Sequence, residues 1–472
     1  MSKVKFGTGG FRAIIGEDFN KENVQTICQA ISNIIIRKNL KKTICIGYDN
    51  RFMSEIFAKW CSEVFAGNDI NVELFDRATS TPVCMFASKL NQNDYGMMIT
   101  ASHNPYQYNG VKVFVQNGKD ASIEETKEIE NEFDKVEKII SINYDKAIGK
   151  KIILKNYEQE YINNIFKVLE IDSTFSDLTV VFDSKYGSTA NEIQSFSKQL
   201  GIQNYQIING NRDAFFNFTT PAPSIDNISE LRENVLSLKA DIGFALDADG
   251  DRLAVIDEKG NYIDNNFILA ISYYFLVKYC GKKGDSVKNT ATSNLLEVVT
   301  SKFGYTCREV PVGFKYVSSA LKEYDAVIGG ESSGGLAVKG HILGKDSLLA
   351  IALCLKAMAT MKKPFSEILK EVLVFADNYS KKILDKQYSY TIEEKEFINK
   401  TLFEDKLLPL QRYEIKDIVY KDYLKIFYKN ENWVLIRFSG TEPILRIFAE
   451  ADTKEETSQL ILDWENLLNL KQ

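Results

Sequence analysis

The sequence predicts an α/β protein of three similar α/β domains followed by a smaller C-terminal α+β domain. Three observations lead there. A buried strand, a polar turn and a helix recur in that order three times. The last ~100 residues break the pattern with strands joined by a short loop. And 472 residues exceed one core, at about one domain per 100–200 residues.

The first helix is marked by Val24, Ile27, Cys28, Ile31, Ile34 and Ile35 on one face, with Asn20 as N-cap. A strand from Thr43 to Gly47 then meets the turn Tyr48-Asp49-Asn50-Arg51-Phe52-Met53-Ser54 and a helix carrying Phe57, Trp60 and Val64. The second copy is Leu178 to Phe182, the turn Asp183 to Ser188, and a helix from about Asn191. The third is Ser286 to Thr290, the turn Ala291 to Ser293, and a helix through Leu295 and Val298. At the C-terminus, strands Trp433–Phe438 and Ile444–Ala449 flank Ser439-Gly440-Thr441-Glu442-Pro443. Thr453-x-x-Glu456 is a capping-box spacing that opens a last helix with Leu460, Ile461, Trp464, Leu467 and Leu468 inside. Domain limits are expected at 1–148, 149–256, 257–372 and 373–472, with Asp145 to Lys151 and Asp377 to Lys382 as linkers.

Composition excludes several classes. A formal net charge of −6 disfavours a general nucleic-acid binder. Seven scattered cysteines with no C-x-x-C pair read as buried thiols in a reducing compartment. The start Met1-Ser2-Lys3-Val4-Lys5 lacks a signal-peptide core, and the apolar run Phe267 to Val277 is too short to span a bilayer. The expected location is cytoplasmic, with no membrane partner.

Five motifs carry chemistry. Thr100-Ala101-Ser102-His103-Asn104-Pro105 follows the apolar stretch Tyr95 to Ile99. Small residues and Asn-Pro describe an exposed turn whose hydroxyl a substrate can reach. Read locally, it is equally a turn with an N-cap serine. Asp247-Ala248-Asp249-Gly250-Asp251-Arg252 follows the buried stretch Ile242 to Leu246. Three carboxylates at alternate positions repel unless a cation sits among them, and oxygen-only ligands favour Mg2+ or Ca2+. An EF-hand fails, because Arg252 stands where its loop needs glycine and the flanks read as strands. A phosphatase with Asp247 as nucleophile stays open here.

Gly329-Gly330-Glu331-Ser332-Ser333-Gly334-Gly335 offers an acceptor and a donor suited to vicinal sugar hydroxyls, or a plain glycine-rich connector. Arg437-Phe438-Ser439-Gly440-Thr441-Glu442-Pro443-x-x-Arg446 gathers guanidiniums, hydroxyls and loop amides as an anion site would. Phe6-Gly7-Thr8-Gly9-Gly10-Phe11-Arg12 is a second glycine loop, without the lysine of an NTP-binding P-loop.

In this order and spacing, over nearly the whole chain, the five motifs resemble the α-D-phosphohexomutase superfamily, of the phosphoglucomutase/phosphomannomutase type. The resemblance implies four domains around a central cleft and an isomerase that moves a phosphoryl group between the 1- and 6-hydroxyls of a hexose, glucose or mannose. It implies Ser102 as phosphoserine, and Asp247, Asp249 and Asp251 with the phosphoserine as Mg2+ site. Arg12, His103, Lys112 and Arg252 would be catalytic. Glu331 and Ser333 would read sugar hydroxyls, and Gly313 and Lys315, in Pro311-Val312-Gly313-Phe314-Lys315-Tyr316, would close on the sugar. Arg437, Ser439, Gly440 and Thr441 would hold the non-reacting phosphate.

Further implied are glucose 1,6-bisphosphate as intermediate and activator, sugar phosphates as the partners, and a monomer or homodimer. The Glu-Ser-Ser-Gly-Gly loop departs from the commonest form, which has Met after Glu and His after the first Gly. Sugar choice is therefore open, with a phosphoglucosamine mutase as alternative and a Mg-dependent sugar phosphatase outside the class. Gly9 and Phe11 stand where Ser and Ile are more usual.

Overall fold

In a computed structural model the described residues are 4–7, 9–116, 118–172, 174–439 and 443–470. The chain divides into two compact units, one of residues 1–289 with 296–372, the other of residues 290–295 with 373–472.

The first unit holds three sheets of related build. In the first, Thr43–Tyr48 runs parallel to Asn71–Phe75 and to Tyr95–Ile99, and Tyr95–Ile99 folds back antiparallel into Tyr108–Val115. In the second, Thr179–Asp183 is parallel to Asn204–Ile208 and Ile242–Leu246, and Ile242–Leu246 folds back into Leu253–Asp257. In the third, Ser286–Asn289 is parallel to Cys307–Val310 and Ile328–Gly330, and Ile328–Gly330 folds back into Leu336–Val338. Each sheet thus ends its parallel run in one hairpin. The three hairpin turns hold residues 100–107, 247–252 and 331–335. The strands feeding the first two, Tyr95–Ile99 and Ile242–Leu246, are buried throughout. This explains their unbroken apolar runs, since strands covered on both faces do not alternate.

The strand–turn–helix units lie where the periodicity puts them. Helix Lys21–Arg37 is capped by Asn20, which accepts from Asn23 N, and buries Val24, Ile27, Cys28, Ile31, Ile34 and Ile35. Helices Ser54–Gly67, Ala190–Gln199 and Leu295–Lys302 follow the three strands. The run Phe267 to Val277 lies inside the buried helix Asn265–Lys278. Among the described residues no helix is long and apolar enough to cross a membrane.

The strand feeding the third turn is Ile328–Gly330, in which Gly329 and Gly330 pair with Val287 and Lys288 on one side and with Ala337 and Leu336 on the other. Two expectations need correction. The stretch Asp145 to Lys151 is not all linker: Asn143 caps the short helix Tyr144–Ala147. And the first two sheets run past residues 148 and 256, taking in Ile152–Lys155 and Tyr262–Ile263.

The second unit is a five-stranded antiparallel sheet, Lys382–Ser389, Ile444–Ala451, Trp433–Phe438, Tyr423–Tyr428 and Ile415–Tyr420 in spatial order. Helix Lys454–Leu467 covers it, opened by the capping box of Thr453 and Glu456. Leu460, Ile461, Trp464 and Leu468 join its core.

Candidate active site

Ser102 sits on the first hairpin turn with φ 51°, a left-handed backbone that a serine adopts only under constraint. The constraint is Arg51. Its guanidinium is fully buried and donates to four carbonyls of the turn: Ser102 (2.5 Å), Asn104 (2.5 Å), Pro105 (2.9 Å) and Tyr108 (3.0 Å). Asp49 balances it at 3.3 Å and also accepts from Thr100 Oγ1 (2.6 Å) and Ser54 Oγ (2.8 Å). A buried charge pair survives only when hydrogen bonds satisfy it, as here.

The second hairpin turn brings its acids to that hydroxyl. Ser102 Oγ donates to Asp247 Oδ2 at 2.7 Å. Asp247 Oδ1 accepts from the backbone of Asp251 (2.9 Å) and Arg252 (3.0 Å), which folds the turn around it. Lys112, from the strand Tyr108–Val115, places Nζ 2.6 Å from both Asp249 Oδ2 and Asp251 Oδ2. Thr81 Oγ1 donates to Asp249 Oδ2 at 2.5 Å. Oxygens of Asp247, Asp249 and Asp251 lie within 4.8 Å of one another. Three buried carboxylates so close cannot all ionise freely. Burial, Asp249 and Asp251 push Asp247 up to about 8. Lys112 outweighs burial and holds Asp249 below its ordinary range; Lys112, Lys345 and Arg252 do the same for Asp251.

The donor set fits a hard divalent cation. Asp249 Oδ1 and Asp251 Oδ1 are buried and accept no hydrogen bond, and buried polar atoms left so call for a partner. Three carboxylate ligands match Mg2+ or Ca2+ in chemistry.

Cations ring this cluster. Arg12 Nη1 donates to Asn104 Oδ1 (2.6 Å), its Nε reaching Gly9 O (3.3 Å). A side chain at residue 9 would begin 2.4 Å from Arg12 Nη2, so Gly9 lets that guanidinium lie over the loop. His103 Nδ1 is 3.4 Å from Ser102 Oγ. Burial, then Arg252, Arg12 and Lys345, press its pKa well below the imidazole range, leaving it neutral. Lys345 Nζ is 3.4 Å from Asp251 Oδ1. Burial opposes the charge on Lys112, but Asp249 and Asp251 prevail and raise its pKa.

The third hairpin turn completes the arrangement. Glu331 Oε1 accepts from Asn289 Nδ2 (2.9 Å) and Gly313 N (3.0 Å), so the loop holding Gly313 positions the acid. Ser333 and Lys315 are half-buried nearby in sequence to Glu331 and Gly313 respectively. Burial lowers the pKa of Lys315. Gly335 has φ +82°, and a Cβ there would lie 2.2 Å from Asp251 O. The third turn therefore rests directly on the second.

Ser102, His103, Lys112, Arg12, Arg252, the three aspartates, Glu331, Ser333, Gly313 and Lys315 thus all belong to the first unit. Arg437 and Ser439 belong to the second. There Arg437 lies directly opposite Arg446 on the paired strands, and Arg446 forms an ion pair with Asp385. Ser439 N donates to Ile444 O at 2.7 Å, closing the loop. Gly440 and Thr441 lie outside the described residues. Sequence reasoning missed Arg51, Asp49, Thr81 and Lys345. Asp49 and Arg51 had a signal: they sit on the first strand–turn–helix turn, as Asp183 and Lys185 sit on the second, with the same backbone bond to the aspartate, 3.0 Å in each case.

Comparison with known proteins adds to this geometry. The chain matches phosphoglucomutase/phosphomannomutase alpha/beta/alpha domain I at residues 3–139, domain II at 159–260, domain III at 264–374 and the C-terminal domain at 404–465. It is 30% identical to a protein of Methanosphaera stadtmanae named "Probable phosphoglucosamine mutase", over 96% of each chain. It is 29% identical to a "Phosphoglucomutase/phosphomannomutase" of Thermococcus kodakarensis, over 97% of this chain and 96% of that one. A solved structure from Thermus thermophilus, named for phosphomannomutase, superposes with a TM-score of 0.84 at 25% identity, covering 99% of both chains.

Proposed function

This chain belongs to the phosphoglucomutase/phosphomannomutase family, of the α-D-phosphohexomutase superfamily, and we propose that it interconverts hexose 1-phosphate and hexose 6-phosphate through a phosphoryl group on Ser102. The observation that carries this reading is the 2.7 Å bond from Ser102 Oγ to Asp247, inside a cluster of three carboxylates and Lys112. A serine held on a strained turn beside a cation site is poised to carry a phosphoryl group. Phosphoryl transfer asks mainly for positioning and charge neutralisation.

Asp247, Asp249 and Asp251, with the phosphoryl oxygens on Ser102, would hold Mg2+, which would draw charge from that group. Arg51 fixes the turn that aims Ser102. The non-reacting phosphate of the substrate is held by Arg437, Ser439, Gly440 and Thr441, while Glu331 and Ser333 take two ring hydroxyls. The 6-hydroxyl of a sugar 1-phosphate attacks the phosphoserine and gives a 1,6-bisphosphate. The bisphosphate turns end for end, and its 1-phosphoryl group returns to Ser102, releasing the 6-phosphate. His103 takes the proton of the attacking hydroxyl, being neutral and beside Ser102, whereas Lys112 is engaged by two carboxylates. Arg12 and Arg252 add positive charge around the transferring group. A phosphatase using Asp247 as nucleophile is disfavoured, because both its oxygens already accept hydrogen bonds.

Glucose and mannose phosphates fit this scheme, and glucose 1,6-bisphosphate would prime the serine. A hexosamine phosphate is the second reading, favoured by the relative from M. stadtmanae. The test is Ser102→Ala. Turnover of glucose 1-phosphate with Mg2+ and a trace of 1,6-bisphosphate should vanish, along with a mass adduct of about 80 Da, one phosphoryl group. Retained turnover in that variant would remove the serine from the mechanism.

A further inference from the structure

One carboxylate beside the sugar loop is not used by this scheme. Asp120 lies on the two-residue strand Lys119–Asp120, which pairs with the strand bearing Lys112 through Phe114↔Asp120 and Val115↔Lys119. On its other side Lys119 bridges to Leu343, two residues before Lys345. The helix Phe314–Glu323, which opens with Gly313 and Lys315, packs on the same strand. Asp120 is therefore set between the first and third sheets, near enough to Lys112, Lys345, Asp251 and Glu331 to feel their charges, while Lys315 senses it from the third domain.

Its side chain is half-buried, yet among the described residues it makes no hydrogen bond and no ion pair. Two of the lysines around it are paired elsewhere, Lys112 with Asp249 and Asp251 and Lys345 with Asp251, and Lys315 feels its charge without forming an ion pair. Glu331 is similarly incomplete. Its Oε1 accepts two hydrogen bonds and its Oε2 none. Neither Asp120 nor Glu331 Oε2 is sealed from water, so both carboxylates are open to a ligand donor. A ring hydroxyl would satisfy Glu331. A second carboxylate gains most from a donor that also carries positive charge.

We propose that Asp120 is a specificity-determining residue that contacts the sugar and, beside Glu331, favours a hexose phosphate bearing a ring ammonium over one bearing only hydroxyls. This deepens the mutase reading and rests on it for the placement of the sugar by Glu331.

The test is calorimetric titration of the full-length wild type and Asp120→Asn with glucosamine 6-phosphate, glucose 6-phosphate and N-acetylglucosamine 6-phosphate. The wild type should bind the amino sugar about tenfold or more tighter than glucose 6-phosphate. Asp120→Asn should bring that ratio to within about twofold, with the glucose and N-acetyl ligands nearly unchanged, since neither carries the charge. A wild-type ratio of one or less overturns the proposal. So does equal weakening of amino and neutral sugars in the variant, which is what a counter-ion for the lysines would give. Turnover measured on the same sugars separates the two readings: selective binding without isomerisation counts against the mutase and leaves Asp120 standing.

Discussion

At the residue scale, Asp247 shows how the site stores charge for a cation. Its pKa is pushed up to about 8 by burial, Asp249 and Asp251, so below that pH its carboxyl carries a proton. A divalent cation needs the carboxylate, so binding must expel the proton. Apparent Mg2+ affinity should therefore rise about tenfold per pH unit from 6 to 7 and level off above about 8. At pH 7, calorimetry in buffers of different ionisation enthalpy should register close to one proton released per ion. No release would mean that Asp247 is already ionised or is not a ligand. The three aspartates were legible in the sequence because alternate carboxylates after a buried strand repel one another until a cation joins them. Arg51 was not. Its role is to donate to four carbonyls of a turn more than fifty residues away, and no local pattern reports a contact made by backbone oxygens. Asp120 was hidden for a similar reason, since only the pairing of a two-residue strand brings it near Lys112 and the third sheet.

At the element scale, the three sheets place chemistry on one repeated feature, the turn of the hairpin that ends each parallel run. Strand–turn–helix periodicity made the repeat visible, because buried strands and amphipathic helices have distinct periods. It did not show which turns would meet, since hairpin register and sheet order are set by tertiary pairing. The glycines of the third turn illustrate this. In sequence, Gly334-Gly335 is a flexible connector or a ligand cradle; in the fold, Gly335 clears the carbonyl of Asp251. An alanine there meets both a left-handed backbone and an oxygen 2.2 Å from its Cβ. Gly335→Ala should cost about 1–3 kcal/mol in thermal or denaturant unfolding. It should also weaken Mg2+ binding, because relieving that clash pushes the third turn and the aspartate-bearing turn apart. A variant equal to wild type in both measurements would mean that the third turn does not brace the second.

At the scale of the whole molecule, the chemistry is divided between two units. Among the described residues, the side chains that hydrogen-bond Ser102 belong to the first: Asp247, His103, Thr100 and Arg51. The second has its own cationic feature. Like charges directly opposite on paired strands destabilise a sheet, yet Arg437 faces Arg446 there. Asp385 neutralises Arg446 and also feels the charge of Arg437. If Arg437 holds the phosphate that does not react, it grips that group equally before and during transfer. Interactions of that kind lower KM without raising kcat. Losing a charge-assisted bond of about 1.5–3 kcal/mol predicts that Arg437→Ala raises KM for glucose 1-phosphate by roughly 10- to 100-fold, with kcat changed far less. Because the described hydrogen bonds of Ser102 are made within its own unit, the same variant should bind Mg2+ as the wild type does and keep the phosphoryl adduct on Ser102. Steady-state kinetics, metal titration and intact mass on one preparation would check all three. A fall in kcat with unchanged KM would instead assign Arg437 to the transfer step itself.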